Sequence, residues 1–90
     1  MLHDARLCFI GSGAMGGAII SGLLNKKVVE PSQIVASDPV EKQRQVIMDR
    51  FDITVVASNS EAAKGANVII LAVKPQVLPA VLRDLRGHVD

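Results

Sequence analysis

The chain has 90 residues, of which 49% are hydrophobic, and its two aromatic residues are both Phe, so its core must be built from aliphatic side chains. Ten basic and nine acidic residues leave a net charge of +1, which argues against nucleic-acid binding, because that function needs a clustered basic surface. The longest apolar run, Val68–Val73, is far too short to cross a bilayer. Because the first residues show no basic segment followed by an apolar one, secretion is not expected. A single cysteine excludes an internal disulfide, and a cytoplasmic location is expected.

A glycine-rich turn follows the first predicted strand, Arg6–Ile10, and leads into a predicted helix over Ala14–Leu24. The letters G-S-G-A-M-G begin at Gly11, and in this strand–turn–helix context they are typical of dinucleotide binding. Gly11 suits the tight turn, Gly13 lets the backbone approach a pyrophosphate, and Gly16 allows the helix to pack closely. The positive end of the helix dipole would face the phosphates.

Three further strands and three further helices are predicted to alternate after this first pair. The run Val68–Val73 shows no alternation of apolar and polar residues, which predicts a central strand covered by helices on both faces. The order of elements indicates an α/β fold, a Rossmann-type doubly wound parallel sheet. Because the order stops after the fourth βα unit, we expect residues 1–90 to be a truncated dinucleotide-binding domain. The strands are predicted at Ile34–Ser37, Ile53–Val56 and Val68–Val73, and the helices at Pro39–Phe51, Asn59–Gly65 and Gln76–Leu85.

Capping residues predict where several helices begin and end. Asn25 is expected to end the first helix in the left-handed conformation. Asp38 is expected to cap the second helix, with Pro39 as its first helical residue. Ser58 and Glu61 have the spacing of a capping box at the start of the third helix.

The end of the second strand is the expected position of a ribose-binding residue, about 20 residues past the glycines. Ser37 and Asp38 stand there. An acidic residue at this point binds the ribose 2′-OH of NAD and repels the 2′-phosphate of NADP, although helix capping alone also explains Asp38. Lys42 and Arg44 follow within reach of a 2′-phosphate, the alternative being that they are solvated surface charges.

Two other polar residues follow predicted strands. Asn59 comes after the third strand, where simple helix capping is the alternative interpretation. Lys74 comes directly after the fourth strand, at the carboxyl edge where ligands of parallel sheets bind. The sequence shows no nucleophile–base pair and no metal-ligand spacing, so the catalytic residues stay unknown and no metal is expected. Cys8 is interpreted as a buried core residue.

Three stretches of the chain resemble the N-terminal part of pyrroline-5-carboxylate reductase, the last enzyme of proline biosynthesis. They are Phe9–Met15, Ala36–Pro39 and Leu71–Gln76, and the A-V-K-P-Q letters in the last are the most specific. The resemblance covers essentially the whole chain but only about the first third of such an enzyme. It implies reduction of the C=N bond of 1-pyrroline-5-carboxylate by NADPH, and a full-length protein that is a homo-oligomer through a helical domain absent here.

The resemblance also implies a set of cofactor contacts, although it transfers no substrate-binding residue. Family members favour NADPH and often carry a hydroxyl or amide side chain where Asp38 stands, so binding of NAD stays an alternative. The 90 residues alone are expected to bind cofactor weakly and to show no reductase activity. The implied NADP contacts are Ile10, Gly11, Ser12, Gly13, Ala14, Met15, Ser37, Asp38, Asn59, Ala72, Val73, Lys74 and Pro75.

Two other functions fit part of the pattern. The β-hydroxyacid dehydrogenases share the glycine fingerprint that starts at Gly11 but lack the A-V-K-P-Q run. A non-catalytic nucleotide-sensing module would bind the cofactor without turnover.

Overall fold

A four-stranded parallel sheet forms the centre of the computed structural model, which describes residues 5–11 and 13–86. The strands are β1 (Leu7–Ile10), β2 (Ile34–Ser37), β3 (Thr54–Val56) and β4 (Val68–Leu71). Their spatial order is β3-β2-β1-β4, and every pairing is parallel. The helices are α1 (Ala14–Asn25), α2 (Glu41–Phe51), α3 (Asn59–Ala63) and α4 (Leu78–Leu85), with a short 3-10 helix at Pro31–Gln33.

The side chains of β1 alternate between two hydrophobic clusters, one on each face of the sheet. Leu7 and Phe9 pack in a cluster with residues of α1 and α2, such as Ile20. Cys8 and Ile10 pack in the other, which α3 and α4 complete with Ala62, Ala63, Val81 and Leu85. Because successive side chains of a strand point to opposite faces, helices on both sides require β1 to be apolar throughout. The predicted doubly wound α/β arrangement is confirmed.

Helix α1 ends differently from the prediction, because Asn25 is still helical. Lys27 takes the left-handed conformation instead, with φ 56°. The backbone nitrogen of Val28 donates to the carbonyl oxygen of Leu23 at 3.1 Å, and that of Lys27 donates to Leu24 at 3.1 Å. These two bonds form a Schellman motif, which satisfies the last carbonyls of the helix. The left-handed residue is therefore Lys27, two positions after the predicted Asn25.

Helix α2 begins two residues later than predicted, so Asp38 is not its N-cap. Val40 holds the N-cap position, and the Asp38 Oδ1 atom accepts a hydrogen bond from the Val40 backbone nitrogen at 2.9 Å. The backbone nitrogen of Asp38 donates to the Val56 carbonyl at 3.0 Å. This bond continues the pairing of β2 with β3 by one residue, so the chain enters the helix only after Asp38. The capping prediction for Ser58 is confirmed, because its Oγ atom accepts from the Glu61 backbone nitrogen at 3.2 Å.

Strand β4 is an edge strand within the described residues, where it pairs with β1 alone. One side of the strand is therefore an unpaired edge in this part of the chain, with Val68 and Leu71 43% and 39% exposed, and the central position predicted for it in a complete doubly wound sheet stays a prediction. Strand β4 ends at Leu71, and a turn follows in which the Val77 nitrogen donates to the Lys74 carbonyl at 2.9 Å. No helix in residues 5–11 and 13–86 is long and apolar enough to span a membrane.

Candidate functional site

A cleft of about 490 Å³ opens at the carboxyl ends of β1, β2 and β4. Its volume lies in the range of about 300–1,000 Å³ typical of small-molecule sites, and ligands of open α/β sheets bind at this edge. Most of its lining residues are among the predicted contacts, whereas the prediction missed Pro39 and Val77, which are neighbours of predicted residues in the loops. The lining residues are Gly11, Gly13, Asp38, Pro39, Ala72, Val73, Lys74, Pro75 and Val77.

Gly11 holds the tight turn between β1 and α1. Its φ is +89°, and a Cβ atom there would lie 2.8 Å from both the Ala72 carbonyl oxygen and the Val73 Cγ1 atom. A Cβ atom on Gly16 would lie 2.5 Å from the Gly11 carbonyl oxygen. Both positions therefore need glycine for the fold itself, because a side chain would displace the turn or the segment after β4.

Gly13 is different, because the space beside it is open. A Cβ atom there would meet no atom within 4 Å, and its φ of −73° suits any L-residue. Gly13 is the N-cap of α1, and as a glycine it has no side chain that could accept a hydrogen bond from the first N–H groups of the helix. The exposed backbone and the helix N-terminus form a cradle for an anion that a side chain would fill. The turn therefore fits the pyrophosphate of a dinucleotide.

Ser37 lies beneath the cleft rather than on its surface. It is fully buried, and its Oγ atom donates to the Asn59 Oδ1 atom at 2.7 Å. The Asn59 Nδ2 atom in turn donates to the Asp84 Oδ2 atom at 3.2 Å. The structure brings Ser37 and Asn59 together, as their positions at the ends of neighbouring strands imply, but neither is among the residues that line the cleft.

Asp38 and Arg44 share the corner of the cleft at the end of β2. The Arg44 Nη1 atom donates to the Asp38 carbonyl oxygen at 2.9 Å. This bond holds a half-buried guanidinium beside a residue that lines the cleft. Lys42 is exposed on the same helix. The Arg44 side chain thus reaches the backbone of Asp38, the residue at which the ribose is predicted to bind.

Lys74 and Pro75 follow β4 on the other side of the cleft and are both exposed. Ile10 is buried at the end of β1, and its carbonyl oxygen accepts from the Ala72 backbone nitrogen at 2.9 Å. The predicted contact at Ser12, and those of the Ala14 and Met15 side chains, lie outside the described residues.

Within the described part of the chain, no three His, Cys, Asp or Glu residues are grouped so that they could hold a metal ion. The one thiol, Cys8, is buried in the core, as expected, and burial raises its pKa to about 11. A protonated, inaccessible thiol is not a nucleophile. What the site offers is a surface for binding an extended anionic ligand.

The chain is similar to curated proteins named pyrroline-5-carboxylate reductase. The protein of that name from Pseudomonas aeruginosa is 46% identical over 84 residues, which are 93% of this chain and 30% of the relative. The Synechocystis protein is 38% identical over 82 residues, which are 91% of this chain and 31% of the relative. The chain thus spans about a third of the length of these relatives.

Two solved structures share the fold. Pyrroline carboxylate reductase from Plasmodium falciparum, solved with NADP bound, matches 94% of this chain and 30% of its own with a TM-score of 0.79 and 26% identity. A pyrroline-5-carboxylate reductase from Coxiella burnetii matches 91% of this chain and 30% of its own with a TM-score of 0.85 and 26% identity.

The resemblance found in the sequence is thereby confirmed, as is the Rossmann-type fold. A family model described as "NADP oxidoreductase coenzyme F420-dependent" matches residues 6–90, nearly the entire chain. The chain belongs to this family of NADP oxidoreductases.

Proposed function

We propose that the chain is the cofactor-binding part of an NADPH-dependent pyrroline-5-carboxylate reductase, which reduces the C=N bond of 1-pyrroline-5-carboxylate to give L-proline. The observation that carries the proposal is the cleft, in which the open backbone at Gly13 faces the same space as the Ala72–Pro75 segment. The names of the relatives and the NADP bound in the Plasmodium falciparum structure support it.

The lining residues divide into three regions that suit the parts of a dinucleotide. The turn at Gly11 and Gly13, with the N-terminus of α1, would hold the pyrophosphate. The Asp38 corner would hold the adenosine ribose, and Ala72–Pro75 would hold the nicotinamide half. When bound, NADPH supplies the hydride for the reduction. The contacts predicted at Ile10, Ser12, Ala14, Met15, Ser37 and Asn59 stay predictions.

Arg44 supports NADPH over NADH as the cofactor. A guanidinium has five N–H donors, and the Asp38 carbonyl engages only the Nη1 atom in the described structure. The remaining donors beside the ribose corner suit a 2′-phosphate, which needs charge-assisted hydrogen bonds. The Asp38 carboxylate opposes this preference by repulsion, so the balance of the two residues decides the affinity for each cofactor.

The remaining features of the proposal concern the whole protein. We infer a small-molecule substrate, no nucleic-acid partner, a homo-oligomeric enzyme and a cytoplasmic location. The described residues offer no paired acid and base for the substrate, so this chain by itself would show no turnover.

A chimaera tests the proposal directly. This chain replaces the matching third of the Pseudomonas aeruginosa reductase, and NADPH oxidation is followed with 1-pyrroline-5-carboxylate as substrate. We expect turnover by the chimaera and none by the 90-residue chain alone. A chimaera that carries Gly13→Val is the control and should lose activity. NADPH binding without turnover would contradict the proposal and favour a nucleotide-sensing module.

A further inference from the structure

A chain of polar side chains runs from beneath the cleft to helix α4. The Ser37 Oγ atom at the end of β2 donates to the side-chain Oδ1 atom of Asn59 at 2.7 Å. The Nδ2 atom of the same Asn59 side chain donates to the Asp84 Oδ2 atom at 3.2 Å. Ser37 is buried, Asn59 is half-buried at the start of α3, and Asp84 is exposed on α4. Strand β2 and helices α3 and α4 therefore meet at the side-chain amide of Asn59, although they are distant in sequence.

Asp84 determines which way this amide faces. A carboxylate only accepts hydrogen bonds, so it must face the NH₂ group of Asn59. The Ser37 hydroxyl can donate or accept and would tolerate either orientation. If the amide were reversed, the Asn59 Oδ1 atom would face the Asp84 carboxylate, and these two acceptors would repel each other. The energy difference between the two orientations of the amide therefore comes from Asp84.

We propose that Asp84 is a positioning residue, which holds the Asn59 amide in one orientation for contact with the dinucleotide. The role toward the dinucleotide rests on the proposed function. Asn59 lies outside the cleft lining, at the start of α3 and against the end of β2. Its two hydrogen bonds use one N–H donor and one carbonyl lone pair of the amide, which leaves the other N–H and lone pair for an adenosine ribose that extends past Asp38. A side chain that is already held loses less conformational entropy when a ligand binds. Asp84 therefore increases dinucleotide affinity without contacting the ligand.

Three variants of Asp84 separate its acceptor role from its effect on folding. Asp84→Leu removes the acceptor, Asp84→Asn keeps the size but also presents an NH₂ group, and Asp84→Glu keeps the carboxylate. The matched control is Asp49→Asn, because the Asp49 carboxylate accepts from the Gln45 amide at 2.9 Å on the exposed face of α2. This pair has the same chemistry and lies away from the cleft.

Two measurements are made on each variant, after thermal unfolding has shown that it is folded. The first is the NMR signal of the Asn59 side-chain NH₂ group, which we expect to shift in Asp84→Leu and Asp84→Asn and to stay near its original position in Asp84→Glu. The second is the dissociation constant for NADPH. Loss of one hydrogen bond should raise it about three- to tenfold in Asp84→Leu, less in Asp84→Asn, and not measurably in Asp84→Glu or in the Asp49→Asn control.

The outcomes distinguish this proposal from the proposed function. If the unsubstituted protein binds NADPH and Asp84→Leu binds it equally well, the positioning role is overturned and the proposed function stands. Unchanged Asn59 signals in Asp84→Leu would overturn the positioning role whether or not NADPH binds. If the unsubstituted protein does not bind NADPH, the proposed function fails, and the role of Asp84 toward the dinucleotide fails with it. An equal loss of affinity in Asp84→Glu would also overturn the proposal, because the carboxylate would then not be what matters.

Discussion

The backbone nitrogen of Gly11 donates to the Ser37 carbonyl oxygen at 3.1 Å, which joins the glycine turn directly to the end of β2. On the other side of β1, the Ala72 nitrogen donates to the Ile10 carbonyl at 2.9 Å. Backbone hydrogen bonds therefore connect all three regions of the cleft. Its shape depends on the fold more than on individual side chains, so substitutions can test ligand contacts and folding separately.

We expect Gly13→Val to abolish most dinucleotide binding without unfolding the protein. A Cβ atom at this position meets no atom within 4 Å outside the two neighbouring residues, but the valine side chain would occupy the space in which a pyrophosphate would lie. A forced steric conflict costs about 1–3 kcal/mol, which corresponds to a dissociation constant for NADPH that is roughly 5- to 150-fold larger. Calorimetric titration of both proteins measures the difference. Equal affinities in two folded proteins would contradict the assignment of the turn to phosphate binding.

Gly11→Ala should instead reduce the free energy of unfolding. The residue needs φ +89°, and the new Cβ atom would overlap the Ala72 carbonyl oxygen. The matched control is Gly65→Ala, since Gly65 has φ +78° but open space around it. The control should lose only the free energy that the left-handed conformation costs, about 1–2 kcal/mol of stability. Gly11→Ala should lose about 2–5 kcal/mol, because overpacking adds to that cost. Chemical denaturation of both variants tests this, and equal losses would show that the overlap is relieved cheaply.

Much of the fold and the location of the site follow from local patterns. The apolar strands, the glycine turn at Gly11 and the capping serine Ser58 are local signals, and the parallel order brings the loops after β1, β2 and β4 to one edge. The sequence therefore predicted most of the residues that line the cleft before the structure placed them there.

One error, at the start of α2, occurs where a tertiary bond competes with a local one. Asp38 has every local property of an N-cap, but its backbone nitrogen continues the β2–β3 pairing by a bond to Val56, and its carboxylate forms an Asx turn with Val40 instead. The contact of Asp84 with Asn59 depends on how α3 packs against α4, and no pattern along the chain indicates it.

Arg44→Gln should weaken NADPH binding and leave NADH binding largely unchanged. The substitution removes a charged donor that the Asp38 carbonyl holds at the ribose corner. A hydrogen bond to a charged group is worth about 1.5–3 kcal/mol, so we expect a loss of about tenfold or more for NADPH, measured as paired dissociation constants for the two cofactors. Lys42→Gln removes the same charge from an exposed position on the same helix.

An equal effect in Lys42→Gln would show that general charge, rather than the position of Arg44, attracts NADPH. Tighter binding of NADH than of NADPH by the unsubstituted protein would contradict the preference itself and assign the ribose 2′-OH to Asp38.

The buried thiol of Cys8 should make the protein less stable at alkaline pH. Burial raises its pKa from 9.0 to about 11. Between these values the unfolded chain loses the proton and the folded chain keeps it, so the free energy of unfolding falls as pH rises, by at most about 1.4 kcal/mol per pH unit. Denaturation at pH 8–11 of the unsubstituted protein and of Cys8→Ala isolates this contribution, because the lysines titrate in both. Parallel pH profiles would contradict it.

The central claim, that the cleft at the carboxyl ends of the strands binds the dinucleotide, is tested most directly by an NMR titration of the labelled protein with NADPH. We predict saturable shifts of the backbone amides of Gly11, Gly13, Asp38 and Lys74. A second cleft, of about 420 Å³, lies beyond the C-terminus of α1 and includes Lys27 and Gln33 among its lining residues. Shifts confined to that second cleft, or no saturable shifts at all, would contradict the claim.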